Sequence, residues 1–225
     1  MEVIPAGGHL NREIWTQYLP HGVYVADKNE ISREGKNSMI VLLDRIGLCQ
    51  SSLGQYAGAE KFHRRALALR EEMLGSEHPD TLMSMNEVGF ALSSQGKYTE
   101  AEEILQETLA LREKVLGKEH PETLTSMNNI GYVLSKQWKF IEAEEIYRKT
   151  LTLREKVLGE EHPYTLTSMN NIGHILSAQG KYIEAEEVFR EVLALREKVL
   201  GKEHPRTRIS RENLADVLSQ QGNFV

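Results

Sequence analysis

The sequence predicts an all-α chain, an α-solenoid of antiparallel helical hairpins stacked in a row. Three observations predict it. His-Pro recurs at His78-Pro79, His120-Pro121, His162-Pro163 and His204-Pro205, an unchanging interval of 42 residues, and a fixed period of this size marks a repeat architecture. Within each interval the apolar residues fall at helical spacing in two separate runs. Except in the run that ends before Trp138, a glycine closes each run, where a left-handed residue ends a helix at little cost.

In one unit the first run is Leu82, Met85, Val88 and Leu92, and the second is Ala101, Ile104, Leu105, Thr108 and Leu111 through Val115. Each run traces one stripe of a helix. The proline after each histidine suits a first helical turn, where the missing N–H is not needed and φ is already helical. The turn between the helices reads Gln95-Gly96-Lys97-Tyr98 and Gln179-Gly180-Lys181-Tyr182, and the second helix closes at Leu116-Gly117, Leu158-Gly159 and Leu200-Gly201. Gly89, Gly131 and Gly173 return inside the first helix, each followed twelve residues later by Ala101, Ala143 or Ala185. A glycine inside a helix costs about 1 kcal/mol relative to alanine, so its return predicts a close approach of the two helices. One hairpin cannot cover its own apolar stripe, so neighbouring units must stack.

These residues resemble the tetratricopeptide repeat. The glycine-to-alanine spacing carries the likeness, with the aromatic after the turn (Tyr98, Phe140, Tyr182) and the aromatic or leucine four residues after the alanine (Leu105, Tyr147, Phe189). The 42-residue form, closing on Leu-Arg-Glu-Lys-Val-Leu-Gly, is similar to the repeats of kinesin light chains and of fungal and bacterial NTPase-linked sensor proteins. The resemblance implies a right-handed superhelix over residues 38–225, with units 38–79, 80–121, 122–163 and 164–205 and a half-unit 206–225. Residues 1–37 are expected to form an N-terminal capping helix, from Ile14, Trp15, Tyr18, Leu19 and Val23, with a free peptide-like arm as the alternative, and a polar connector, Asp27 to Asn37. In the half-unit, Arg208 and Arg211 replace the apolar Leu166 and Met169, while Leu214 and Leu218 stay apolar. A solvated cap is expected, with a truncated unit as the alternative.

Composition narrows the function classes. The net charge of -6 lacks the basic excess that a nucleic-acid or anionic-membrane footprint needs. No run approaches the ~20 apolar residues of a membrane span, and neither end carries a secretory or lipidation signal. The expected location is therefore intracellular, in the cytoplasm, with no nucleic-acid or membrane partner. Cys49 is the only cysteine, so no disulfide forms within the chain and an ordinary buried thiol is expected.

No catalytic or metal constellation is legible. Ligands of one ion lie within about 4 Å of each other, whereas successive repeats stand at least about 8–10 Å apart, so the four histidines cannot converge and are read as helix starts. The Gly-Lys pairs at 96–97, 117–118 and 180–181 lack a phosphate-binding loop. Glu102-Glu103, Glu144-Glu145 and Glu186-Glu187 stand near helix starts, where carboxylates complement the helix dipole. The chain is accordingly expected to be no enzyme and to hold no cofactor or metal.

The candidate site rests on the resemblance. In kinesin-light-chain-like repeats the first-helix face lines the concave groove and asparagines contact bound peptide, which implies Asn86, Asn128, Asn170, Phe90, Tyr132, His174, Ser93, Ser135 and Ser177, with Thr125 and Thr167. An asparagine has one acceptor and two donors, so it can pair with any peptide backbone. Repeats about 10 Å apart match three residues of an extended ligand at about 3.1–3.3 Å each. The alternative is that these asparagines bond within or between repeats. Leu48, Phe90, Tyr132 and His174 occupy the position where chaperone-tail binders place asparagine, which disfavours that class. Apart from Arg45 and Lys136, the groove has no cations to suit the acidic tryptophan peptides of kinesin light chains. Trp138 stands where Gly96 and Gly180 stand, as a partner contact or as local packing. The expected function is a protein- or peptide-binding scaffold. The alternatives are the sensor part of an NTPase-linked system and a self-assembling array, with the oligomeric state open.

Overall fold

A computed structural model describes residues 19–24 and 35–222 of the 225-residue chain. Among them every regular element is an α-helix. The chain divides into two compact units, Met1–Leu111 and Arg112–Val225. The first holds α1 (residues 19–24), α2 (Gly35–Ser52), α3 (Tyr56–Leu74), α4 (Pro79–Ser94) and most of α5 (Tyr98–Val115). The second holds α6 (Pro121–Lys136), α7 (Phe140–Leu158), α8 (Pro163–Ala178), α9 (Tyr182–Leu200) and α10 (Pro205–Gly222). Within the first unit α2 packs on α3 and α3 on α4; within the second each helix from α6 to α10 packs on the next.

Most of the expected N-terminal capping helix and connector lies outside the described residues. Where α1 is described, Leu19 and Val23 pack against Met39, Leu43, Ile46, Phe62 and Ala66. The connector was expected to reach Asn37, but α2 is already helical from Gly35, and Lys36 pairs with Glu72 of α3.

Each element starts and stops for a visible reason. His78, His120 and His162 sit in extended backbone just before α4, α6 and α8, and their Nδ1 atoms accept the N–H of Asp80, Glu122 and Tyr164 at 3.2 Å. The histidine is thus a side-chain cap as well as the residue before the proline, satisfying a donor that the helix leaves unpaired. The tight turns close on Gly96 and Gly180, with φ of 81° and 78°. In the turn between α6 and α7 the same role falls to Trp138, the only non-glycine with positive φ among the described residues, at 64°.

The glycine inside the first helix marks a close contact within each hairpin. A Cβ on Gly131 would lie 2.7 Å from Tyr147 Cε1, and on Gly173 the same distance from Phe189 Cε1. In the first repeat that large residue is His63, buried at 1% exposure over Gly47 with no hydrogen-bond partner for either ring nitrogen among the described residues.

Between repeats the stitching is polar. Arg70, Arg112, Arg154 and Arg196 are buried near the ends of their helices, and each donates to a serine fourteen residues on in the next repeat: Ser84, Ser126, Ser168 and Ser210. Arg154 Nη1 lies 2.8 Å from Ser168 Oγ and 2.9 Å from the Tyr164 carbonyl, and burial lowers its pKa to about 10 against the opposing pull of Tyr164. Cys49 is buried as expected, and burial raises its thiol pKa.

Candidate functional site

In the second unit the solvent-facing side of α6 and α8 carries the residues that the repeat pattern singled out. Asn128, Tyr132 and Ser135 follow one another along α6, and Asn170, His174 and Ser177 along α8, at intervals of three and four that keep them on one helix face. Tyr132 is 39% exposed with Lys136 Nζ 5.3 Å from its ring centre. His174 is exposed and sets its ring edge against Phe189, centroids 5.2 Å apart. Although the residue reaches solvent, the packing around its ring desolvates it in part and so lowers the His174 pKa, with Arg196 and Lys136 adding and Asp216 opposing.

The asparagines are not free. Asn171 Nδ2 donates to Asn128 Oδ1, and Asn213 Nδ2 donates to Asn170 Oδ1, both at 3.0 Å. Each oxygen therefore joins its own repeat to the next. The Nδ2 groups of Asn128 and Asn170 make no hydrogen bond among the described residues, and both residues are half-buried. The serines turn inward as well: Ser135 Oγ donates to the Tyr132 carbonyl at 2.7 Å, and Ser177 Oγ to Gln220 Oε1 at 2.9 Å. Thr125 and Thr167 bond back to the Pro121 and Pro163 carbonyls.

In the first unit α4 carries Asn86, Phe90 and Ser93. Asn86 is buried at 7% and has its own partner within the chain, and Ser93 Oγ donates to the Phe90 carbonyl at 2.8 Å. Phe90, 43% exposed, is the member of this set that reaches solvent.

The acidic pairs do more than complement helix dipoles. Gln179 Nε2 donates to Glu144 Oε2 at 2.8 Å and to the Phe140 carbonyl at 3.3 Å, and Lys181 reaches the same carboxylate at 3.2 Å. Gln95 and Lys97 hold Glu60 in the same way, and Gln221 holds Glu186. Burial opposes ionisation of Glu60, but hydrogen bonds from Arg64, Gln95 and Lys97 outweigh it and bring the pKa down to about 2. These carboxylates are structural clips. Among the described residues no three histidine, cysteine or acidic side chains form a group that could hold a metal, and no helix is long and apolar enough to cross a membrane.

Paired helices with a glycine under a large partner residue, stacked through their neighbours and presenting a polar, aromatic first-helix face, define a tetratricopeptide repeat array. The tetratricopeptide repeat pattern matches residues 38–114, 81–156, 129–198 and 170–225, and the chain belongs to that family. Its structural relatives include repeats of the kinesin-light-chain type: those of Podosopora anserina, which are nearly identical to one another, superpose with a TM-score of 0.72 at 27% identity over 86% of this chain and 90% of theirs. BtubC from P. vanneervenii shares the fold at 18% identity and TM-score 0.73, over 98% of this chain and 86% of that one. So does a Rap protein solved with Competence and Sporulation Factor, at 14% and 0.65, over 95% of this chain and 64% of that one. A nucleotide-binding leucine-rich repeat (NLR)-like protein of Hyaloscypha variabilis is 41% identical over 84 residues, which is 37% of this chain and 8% of that protein's length.

Proposed function

We propose that the chain is a non-catalytic scaffold that holds an extended peptide or protein segment against its first-helix face. The observation that carries this reading is the face of α6 and α8. Tyr132 and His174 stand exposed at equivalent positions of adjacent repeats, beside the unspent amide donors of Asn128 and Asn170. Oxygens tied between repeats hold those donors at fixed positions, so a ligand backbone meets a preformed row and little ordering entropy is lost on binding. Exposed aromatic rings supply the apolar contact from which binding hot spots are built. Phe90, with Asn86 and Ser93 beneath it, is the corresponding contact in the first unit. Family membership supports an interaction role, and the Rap relative was solved with a bound factor.

Affinity capture from the native cell tests the reading, comparing the wild-type chain with Tyr132→Ala. The expected result is loss of the captured partner at an unchanged melting temperature. Equal capture by both would contradict it. The NLR-like relative favours a second reading, in which the array is the sensor part of an NTPase-linked protein. That reading expects the captured segment to change nucleotide hydrolysis by a linked or co-purifying NTPase.

A further inference from the structure

We propose that the turn between α6 and α7 is a second contact site, at which a cationic side chain of a partner, an arginine or lysine, docks on the indole of Trp138 beside the Glu142 carboxylate. The repeats supply the internal control. At the equivalent turns Gly54, Gly96 and Gly180 take the positive φ, whereas here a tryptophan adopts φ 64°, a conformation that L side chains disfavour. The strain brings no burial in return, since Trp138 is 79% exposed. Its ring contact is the edge of Phe140, with centroids 5.6 Å apart and planes at 61°, so the two rings form two walls of a corner.

An open cleft of about 490 Å3 lies there, lined by Trp138, Lys139, Phe140, Ile141, Glu142 and Gln179. Ile141 is 72% exposed. Gln179 is spent on Glu144 and the Phe140 carbonyl, and Lys139 is engaged within the chain. Glu142 makes no ion pair or hydrogen bond among the described residues. An aromatic face next to an unpaired carboxylate attracts a cation through the ring quadrupole and through charge. The net charge of -6 favours the same partner at longer range. This corner belongs to the turn and the start of α7 rather than to the α6 and α8 face, and it stands whether or not that face binds peptide.

The test follows the indole N–H resonances of 15N-labelled protein, which has two tryptophans, Trp15 and Trp138. Trp138→Gly assigns the signal. The probes are a hexapeptide with one central arginine, its neutral citrulline counterpart and its leucine counterpart. The expected result is a saturable shift of the Trp138 resonance by the arginine peptide, with affinity about fivefold lower for citrulline and for Glu142→Gln. The Trp15 resonance should not move. Trp138→Gly should melt at the same or a higher temperature while the amide shifts of Phe140 and Ile141 on arginine-peptide addition disappear. Equal response to arginine and citrulline, a stronger response to leucine, or no shift would overturn the proposal. A lower melting temperature for Trp138→Gly would also overturn it, by giving the ring a packing role.

Discussion

Gly131 shows how little freedom single positions have. Alanine is the better helix former by about 1 kcal/mol, yet its Cβ would fall 2.7 Å from Tyr147, and overpacking of this kind costs about 1–3 kcal/mol. Gly131→Ala should therefore lower stability in a denaturant melt, and a neutral or stabilising result would count against the packing. This glycine was legible because its cost made its return conspicuous. The buried arginines were not, because Arg154 inside Leu-Arg-Glu reads as a solvated helix residue, and its partner Ser168 lies in the next repeat. The signal was the shared 42-residue interval of arginine and serine. Arg154→Ala should cost about 2–4 kcal/mol by leaving the serine hydroxyl and the Tyr164 carbonyl unpaired in the interior. The asparagines were half legible: one of each was singled out, but the doublets Asn128-Asn129 and Asn170-Asn171 were the clue to a bond between repeats.

At the scale of the elements, acid should loosen the molecule in two stages. Burial, with Arg70 adding and Asp44 opposing, lowers the His63 pKa from 6.5. The unfolded chain then binds the extra proton, and the stability of α2 on α3 falls as pH drops below that value. Glu60 and Glu144 are also depressed, from 4.5. Their clips are fully present above that value and are lost as pH falls further, toward about 2 for Glu60. Melting temperature against pH should show a smaller first stage in His63→Phe, the residue type that Phe189 supplies in a later repeat, with His174 supplying the remainder, and should flatten at the acid end in Glu144→Gln. Superimposable profiles would contradict the assignment. A helical pattern shows these glutamates only as dipole partners, because their glutamine lies 35 residues on, beyond its reach. In α10, Leu218 is 39% exposed where Leu176 is 1%, and Arg211 pairs with Glu197 at 3.2 Å.

For the whole molecule, the hairpins were legible because their contacts are local: from α2 to α4 and from α6 to α10 each helix packs on the next in the sequence, and repetition multiplies a weak signal by the number of units. The binding face was less so. Its polar residues had two possible uses, and only the geometry separates the oxygens of Asn128 and Asn170, which are spent between repeats, from their amide groups, which are not. The central claim, that the α6 and α8 face holds an extended segment, is tested most directly by selecting peptides from a displayed random library and measuring their affinity for the wild-type chain and for Tyr132→Ala. The account predicts that selected peptides bind the wild type and lose about tenfold or more in the variant, the usual weight of an aromatic hot spot, with the melting temperature unchanged. Peptides that bind both proteins equally, or a library that yields none, would contradict it.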